Sequence, residues 1–218
     1  MDNIVIYGAG GHAKVVADII EKSKTYKILG FLDDYKEPGT TFYGYKILGR
    51  ADYISQCTED ILGGIVALGD NWLRKQTVEM IKKKKPDFKF VTAIHPFASI
   101  GKGVKISEGS VVMAGVIINS DAIVGEHCIV NTKSSLGHDS ILLDYVTIAP
   151  NATIAGNAKI GECSTMSISS TIIHGKEIGD HTVVGAGATV VKDIPSYTVA
   201  YGTPAKAIRN RKEKDSYL

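Results

Sequence analysis

From Ile100 to Val190 every sixth residue is aliphatic or Met. The series is Ile100, Ile106, Val112, Ile118, Val124, Val130, Leu136, Leu142, Ile148, Ile154, Ile160, Met166, Ile172, Ile178, Val184 and Val190, without insertion. Four residues after each stands a second series of mostly small residues, among them Ser110, Ala122, Cys128, Ser134, Ser140, Ala152, Ala158, Ser164, Ser170 and Ala188, with Lys176 and Ile194 as departures. A period of six matches neither the 3.6 of a helix nor the 2 of a two-faced strand. It predicts a solenoid in which each hexad is one short strand and one turn, and three hexads close a triangular coil. The aliphatic side chain points inward and the small residue lets the chain bend, while stacking supplies the hydrogen bonds a single coil lacks. At about 4.8 Å per coil, just over five coils make a prism roughly 25 Å tall.

The first third of the chain has a different pattern. Asn3 to Tyr7 reads as a buried strand, followed by Gly8-Ala9-Gly10-Gly11-His12-Ala13-Lys14 and an apolar helical stretch, Val15 to Ile20. Gly8, Gly10 and Ala13 fit G-x-G-x-x-G/A between a strand and a helix, where glycine lets the backbone approach a phosphate and the helix N-terminus presents free N–H groups. A second strand, Lys27 to Leu32, ends in Asp33-Asp34, placed where an acid meets a ribose hydroxyl. A third, Ile65 to Leu68, leads into Gly69-Asp70-Asn71, with Arg74 in the helix that follows. The expected domains are a Rossmann-like α/β half domain over 1–92 and an all-β parallel β-helix over 93–218. One mononucleotide-binding half suits a single nucleotide better than a dinucleotide, so Gly8, Gly10, Gly11, His12, Asp33, Asp34, Asn71 and Arg74 are the candidate nucleotide contacts. An NAD-binding domain is the competing reading, and a packing or capping role is the alternative for His12.

Composition narrows the classes. A net charge of +2 gives no basic field for nucleic acid or an anionic membrane. No stretch of about 18 apolar residues is present, and no basic segment precedes an apolar one near Met1, so neither membrane insertion nor a secretory signal is expected. Cys57, Cys128 and Cys163 are odd in number and widely spaced. They read as reduced thiols of a cytoplasmic protein, with no zinc site and no metal expected.

Together, Gly8-Ala9-Gly10-Gly11-His12, Phe31-Leu32-Asp33-Asp34, Ile94-His95-Pro96, Asn131-Thr132, Gly137-His138-Asp139, Gly185-Ala186-Gly187-Ala188 and Tyr201-Gly202-Thr203-Pro204-Ala205-Lys206 resemble the sialic-acid O-acetyltransferase and bacterial sugar N-acetyltransferase family. The resemblance implies a left-handed β-helix, a homotrimer with active sites between subunits, acetyl-CoA as co-substrate, and a nucleotide-activated amino sugar or a sialic acid as acceptor. It implies that His138 is the general base, followed by the acid Asp139, and that acetyl-CoA meets Ala149, Gly156, Ile168, Gly185, Ala186, Gly187 and Lys206, with Arg209 a further basic residue of the tail. For Lys206 and Arg209 a solvated tail is the alternative. Many relatives carry a second histidine where this chain has Thr147, and Ser164 to Ser170 lacks the usual Ile-Gly core, so altered cofactor geometry is expected there.

His138 belongs to a column with a period of 18: Lys102, Ser120, His138, Gly156, His174 and Lys192. Stacking places His174 two coils above His138, about 10 Å away, with a notch at Gly156 for the pantetheine arm. His127 and His181, three residues past their aliphatic positions, are expected to face outward. The expected activity is acetyl transfer to a UDP-linked 4-amino sugar, directly and without an acyl-enzyme. Sialic-acid O-acetylation and a non-catalytic scaffold or nucleotide sensor are the alternatives.

Overall fold

The computed structural model describes residues 1–56 and 61–215. Cys57 lies outside the described residues. The chain forms two compact units, Met1–Gly69 with Leu73–Pro96, and Asp70–Trp72 with the chain from Phe97 onward.

The first unit is a twisted sheet with helices. β1 (Asp2–Tyr7), α1 (Gly11–Ser23), β2 (Tyr26–Leu32), β3 (Thr41–Phe42), β4 (Tyr45–Gly49), α2 (Tyr53–Gln56), β5 (Gly63–Val66), α3 (Asn71–Lys84) and β6 (Lys89–Phe90) follow in order. The sheet order is β3-β4-β2-β1-β5-β6. β1 pairs in parallel with β2 and with β5, and only the β3–β4 hairpin is antiparallel. Ile4 to Tyr7 of β1 is an unbroken apolar run because both faces of the strand are covered there, and Ile4, Val5 and Ile6 are fully buried. α1 buries Ala13, Val16, Ala17, Ile19 and Ile20, the spacing of one helical face. It stops at Lys24, whose left-handed backbone returns its N–H to the Ile20 carbonyl.

The second unit is the solenoid expected from the period of six. Sixteen two-residue strands run from Ser99–Ile100 to Thr189–Val190, and each ends on one residue of the aliphatic series. They form three parallel sheets, one per face of the prism. Partners lie one coil apart in constant register, as in Val111↔Ile129, Ile117↔Ser135 and Ile123↔Ile141. From Ile118 to Val190 the aliphatic series is buried at 2% exposure or less, and each such side chain contributes about 1.5–3 kcal/mol. Ser164 to Ser170 forms a regular coil, with Thr165↔Val183 in register, so the missing Ile-Gly core does not distort the backbone. The spacing shortens only at the end, where Val183 meets Val199 and Ile178 meets Ile194. Thr198–Tyr201 then turns back on Lys206–Asn210 in an antiparallel pair.

The corners follow a rule of their own. Every sixth residue from Gly103 to Gly187 is left-handed, including Asp121, His127, Lys133, Asp139, Tyr145 and Cys163. Each such residue costs about 1–2 kcal/mol outside glycine. The N–H at this position donates to the coil below, as in Asp139 to Ser120 O and Asn157 to His138 O. The small series sits inside the same corners. Its hydroxyls are satisfied internally, as in Ser134 Oγ to Asn131 O and Ser140 Oγ to Gly137 O, both local bonds. Ser164 instead bridges coils, donating to Gly179 O and accepting from Thr182 N.

Candidate functional site

The glycine-rich turn of the first unit is held by an acid. Gly8 has φ +102, and its N–H reaches Leu32 O. Asp33 Oδ2 accepts from Ala9 N at 2.8 Å, while its Oδ1 accepts from Tyr35 N and Lys36 N. Asp34 Oδ2 accepts from the Tyr7 hydroxyl at 2.7 Å. Burial, reinforced by Asp34, pushes the Tyr7 phenol well above its ordinary range. The carboxylates expected to meet a ribose therefore close their own turn: Asp33 has both oxygens engaged, and Asp34 is tied to β1.

Above that turn the backbone is open. A Cβ placed on Gly10 or Gly11 meets nothing within 4 Å. α1 begins at Gly10 with no side-chain cap and no acid in its first turn, leaving its first N–H groups and positive dipole end for an anion. His12 Nε2 is buried without a hydrogen-bond partner. Burial, with the Arg74 charge adding to it, lowers its pKa to about 4, so the ring is neutral at physiological pH. Arg74 is itself buried and donates Nη1 to Leu68 O and Gly69 O. Gly8, Gly10, Gly11 and His12 thus belong to one turn, whose histidine feels the Arg74 charge of α3.

Asn71, the first residue of α3, groups with Asp70 and Trp72 in the second unit. Its Nδ2 donates to Cys163 O, Ser164 O and Thr165 Oγ1, at 3.1, 3.2 and 2.9 Å. Its Oδ1 accepts from Thr147 Oγ1 at 2.5 Å. The amide is a clamp across two coils of the prism, and the expectation that it contacts nucleotide is corrected on that ground.

A cleft of the second unit measures about 460 Å³ and is lined by Asn131, Thr147, Ala149, Pro150, Ser167, Ile168, Gly185, Ala186, Tyr201 and Arg209. Four expected cofactor residues line it: Ala149, Ile168, Gly185 and Ala186. Gly156, Gly187 and Lys206 do not. Gly156 follows a different corner, Gly187 is the corner residue just past the lining, and Lys206 is exposed at the start of the returning strand. The lining residues missing from the sequence reading follow the same columns. Asn131, Ala149, Ser167 and Gly185 stand 18 apart, and Tyr201 comes 16 later, where the coil shortens. A Cβ on Gly185 would lie 1.8 Å from the Tyr201 ring, so the glycine is what lets that ring form a wall. Thr147, the departure from the family histidine, is in the lining and bonded to Asn71.

His138 stands on another corner of the prism. Its Nδ1 is 2.7 Å from Asp139 Oδ2, and both side chains are more than half exposed. The left-handed backbone of Asp139, φ 56, aims the carboxylate back at its neighbour. Nδ1 therefore carries the proton toward the acid, leaving Nε2 as the acceptor. A Cβ built on Gly156 lies 2.6 Å from Nε2, so the imidazole leans over the coil above and occupies the expected notch. The ring centroids of His138 and His174 are 6.1 Å apart at 47°, closer than the coil spacing alone predicts.

His127 and His181 project from the prism but are buried, at 1% and 5% exposure. His127 stacks on Tyr145 at 5.3 Å and His181 on Tyr197 at 5.1 Å, each nearly coplanar. Column neighbours cover them, which corrects the outward, solvated expectation. Cys128 is buried, with Sγ against Leu143 O, and Cys163 is a buried corner residue. Neither presents a nucleophile.

A prism of hexad coils with a cleft on one corner and an exposed His–Asp pair on another defines a hexapeptide-repeat acyltransferase. The family model of the PglD N-terminal domain matches residues 3–81. A histidine-to-asparagine mutant of perosamine N-acetyltransferase from Caulobacter crescentus, in complex with CoA and GDP-perosamine, is 32% identical with a TM-score of 0.88, over 96% of this chain and 98% of that one. The acetyltransferase domain of PglB from Neisseria gonorrhoeae FA1090, in complex with acetyl coenzyme A, is 33% identical with a TM-score of 0.87, over 94% and 98%. Among curated relatives, an acyl-[acyl-carrier-protein]–UDP-N-acetylglucosamine O-acyltransferase from Stutzerimonas stutzeri is 28% identical over 109 residues. The match covers 42% of that protein, less than half its length. The chain belongs to the hexapeptide acyltransferase family that carries the PglD-type N-terminal domain. Among the described residues, no helix is long and apolar enough to cross a membrane.

Proposed function

We propose that this protein is an acetyl-CoA-dependent N-acetyltransferase acting on a nucleotide-linked 4-amino sugar in bacterial glycan synthesis. The observation that carries the reading is His138, with Nδ1 engaged by Asp139 and Nε2 left to accept a proton. Support comes from the relatives, which were crystallised with CoA and GDP-perosamine or with acetyl coenzyme A. Acetyl-CoA occupies the cleft of Ala149, Ile168, Gly185 and Ala186, and the phosphates of the sugar nucleotide sit over Gly10, Gly11 and His12. The active unit is a homotrimer, in which cleft and His138 come together from neighbouring subunits. The free thiols of Cys128 and Cys163 suit a cytoplasmic location. The domain boundary follows the sequence, with nucleotide recognition in 1–92 and acyl transfer in 93–218.

In the reaction the amine nitrogen attacks the thioester carbonyl. His138 Nε2 takes a proton from nitrogen, and Asp139 stabilises the imidazolium. The tetrahedral intermediate collapses with release of CoA thiol. No group of the enzyme is acylated, in keeping with the buried cysteines.

Thermal unfolding with CoA, acetyl-CoA, UDP, GDP, dTDP, CMP and NAD tests the reading. A ligand at about 100 times its Kd adds roughly 2.7 kcal/mol. Stabilisation by acetyl-CoA and by one nucleotide is expected. The family resemblance points to UDP, and a GDP response instead would align the chain with the perosamine enzyme. A CoA response with no nucleotide response would favour sialic-acid O-acetylation. No CoA response would leave a scaffold or sensor.

A further inference from the structure

Acetylation of a protonated amine leaves one proton over. The ammonium nitrogen carries three hydrogens and the amide nitrogen one. One C–N bond forms, one C–S bond breaks, the sulfur takes one of the two protons lost, and the other goes to solvent. A single imidazole holds one transferable proton at a time, so His138 must discharge between the two losses or between turnovers.

We propose that His174 is the residue that takes this proton from His138 and delivers it to solvent. The inference rests on the reading of His138 as base. The column geometry supplies the path. His138 leans over Gly156 with Nε2 at its near edge, 2.6 Å from where a Cβ would be. His174, two coils above, closes to a centroid distance of 6.1 Å. The two rings are thus neighbours despite the coil between them. Any side chain at Gly156 would meet the His138 ring. His174 is exposed, so its second nitrogen can pass a proton to bulk water.

Asp139 holds the proton on His138 Nδ1, so the proton that moves is the one on Nε2, the side facing Gly156.

The test is His174→Gln in the full-length protein, with melting temperature as a folding control. Acetylation is followed over many turnovers at low buffer concentration with acetyl-CoA and the accepted sugar nucleotide. The rate is expected to fall by roughly tenfold, with substrate KM values unchanged and the loss restored by added imidazole. A rate equal to wild type, or a loss that imidazole does not restore, would overturn the relay. His138→Ala separates the two claims. If that variant is as active as wild type, the base reading itself fails. If it is inactive while His174→Gln matches wild type, only the relay fails.

Discussion

His138 and Asp139 are adjacent in sequence and hydrogen-bonded in space, Nδ1 to Oδ2 at 2.7 Å. Neighbouring side chains in a strand point to opposite faces. Here the pair converges because Asp139 is the left-handed residue of its corner, so the turn rule of the prism orients the imidazole.

That pair sets the first prediction. His138→Ala is expected to lower kcat by about 10²–10⁴-fold with small changes in either KM. Asp139→Asn, which keeps the shape and removes the charge, is expected to lose less, about tenfold. Steady-state kinetics with both substrates varied decides it.

Gly156 gives the second. Its backbone suits other residues, since its φ is not positive, but a methyl group there would strike the His138 ring. Gly156→Ala is expected to fold with a near-normal melting temperature and lose about 10²-fold in kcat through displacement of the base. A fully active variant would show that the ring's lean over Gly156 is not its working position.

A third concerns the cleft. Gly185→Ala would place a Cβ 1.8 Å from the Tyr201 ring. The ring must then swing away, and KM for acetyl-CoA is expected to rise while KM for the sugar nucleotide stays constant. CoA titration by calorimetry on the variant measures the same effect without turnover.

The Asn71 clamp is a stability prediction. Asn71→Ala removes three donated bonds and one accepted bond at a buried site. A loss of about 1–3 kcal/mol follows from the buried partners left unpaired. Urea unfolding of variant and wild type gives the value.

The fifth follows from His12. Its pKa is lowered to about 4 by burial and then by Arg74, against about 6.5 in the unfolded chain. Between those values the unfolded state binds more protons, so stability rises with pH across this window and falls as pH drops toward 4. Above about 6.5 the ring is neutral in both states and contributes no slope. His12→Gln is expected to flatten the melting-temperature profile between pH 4 and pH 6.5 and leave it unchanged at pH 8.

The prism was legible because its period is longer than any helix or strand repeat and is carried by interior residues from Ile118 to Val190. The corner conformation was not, because large residues such as Lys133 and Tyr145 occupy left-handed positions that composition alone assigns to glycine or asparagine. Burial of His127 and His181 depends on tyrosines a full coil or slightly less away, Tyr145 and Tyr197, which a hexad offset does not reveal. Asp33 illustrates a different limit. An acid after the second strand has the same sequence signature whether it meets a ribose or caps Ala9 N. The cleft was half legible: the 18-residue columns lead to Ala149 and Gly185, but Tyr201 joins them only because the last coil is shorter.

The most direct test of the central claim is a product assay. Wild-type protein and His138→Ala are each incubated with acetyl-CoA and a UDP- or GDP-linked 4-amino sugar, with free CoA thiol and product mass followed together. The account predicts that wild type releases one CoA per acetylated sugar nucleotide and that His138→Ala releases almost none. Equal turnover by the two proteins, or thiol release with no acetylated sugar nucleotide, would contradict it.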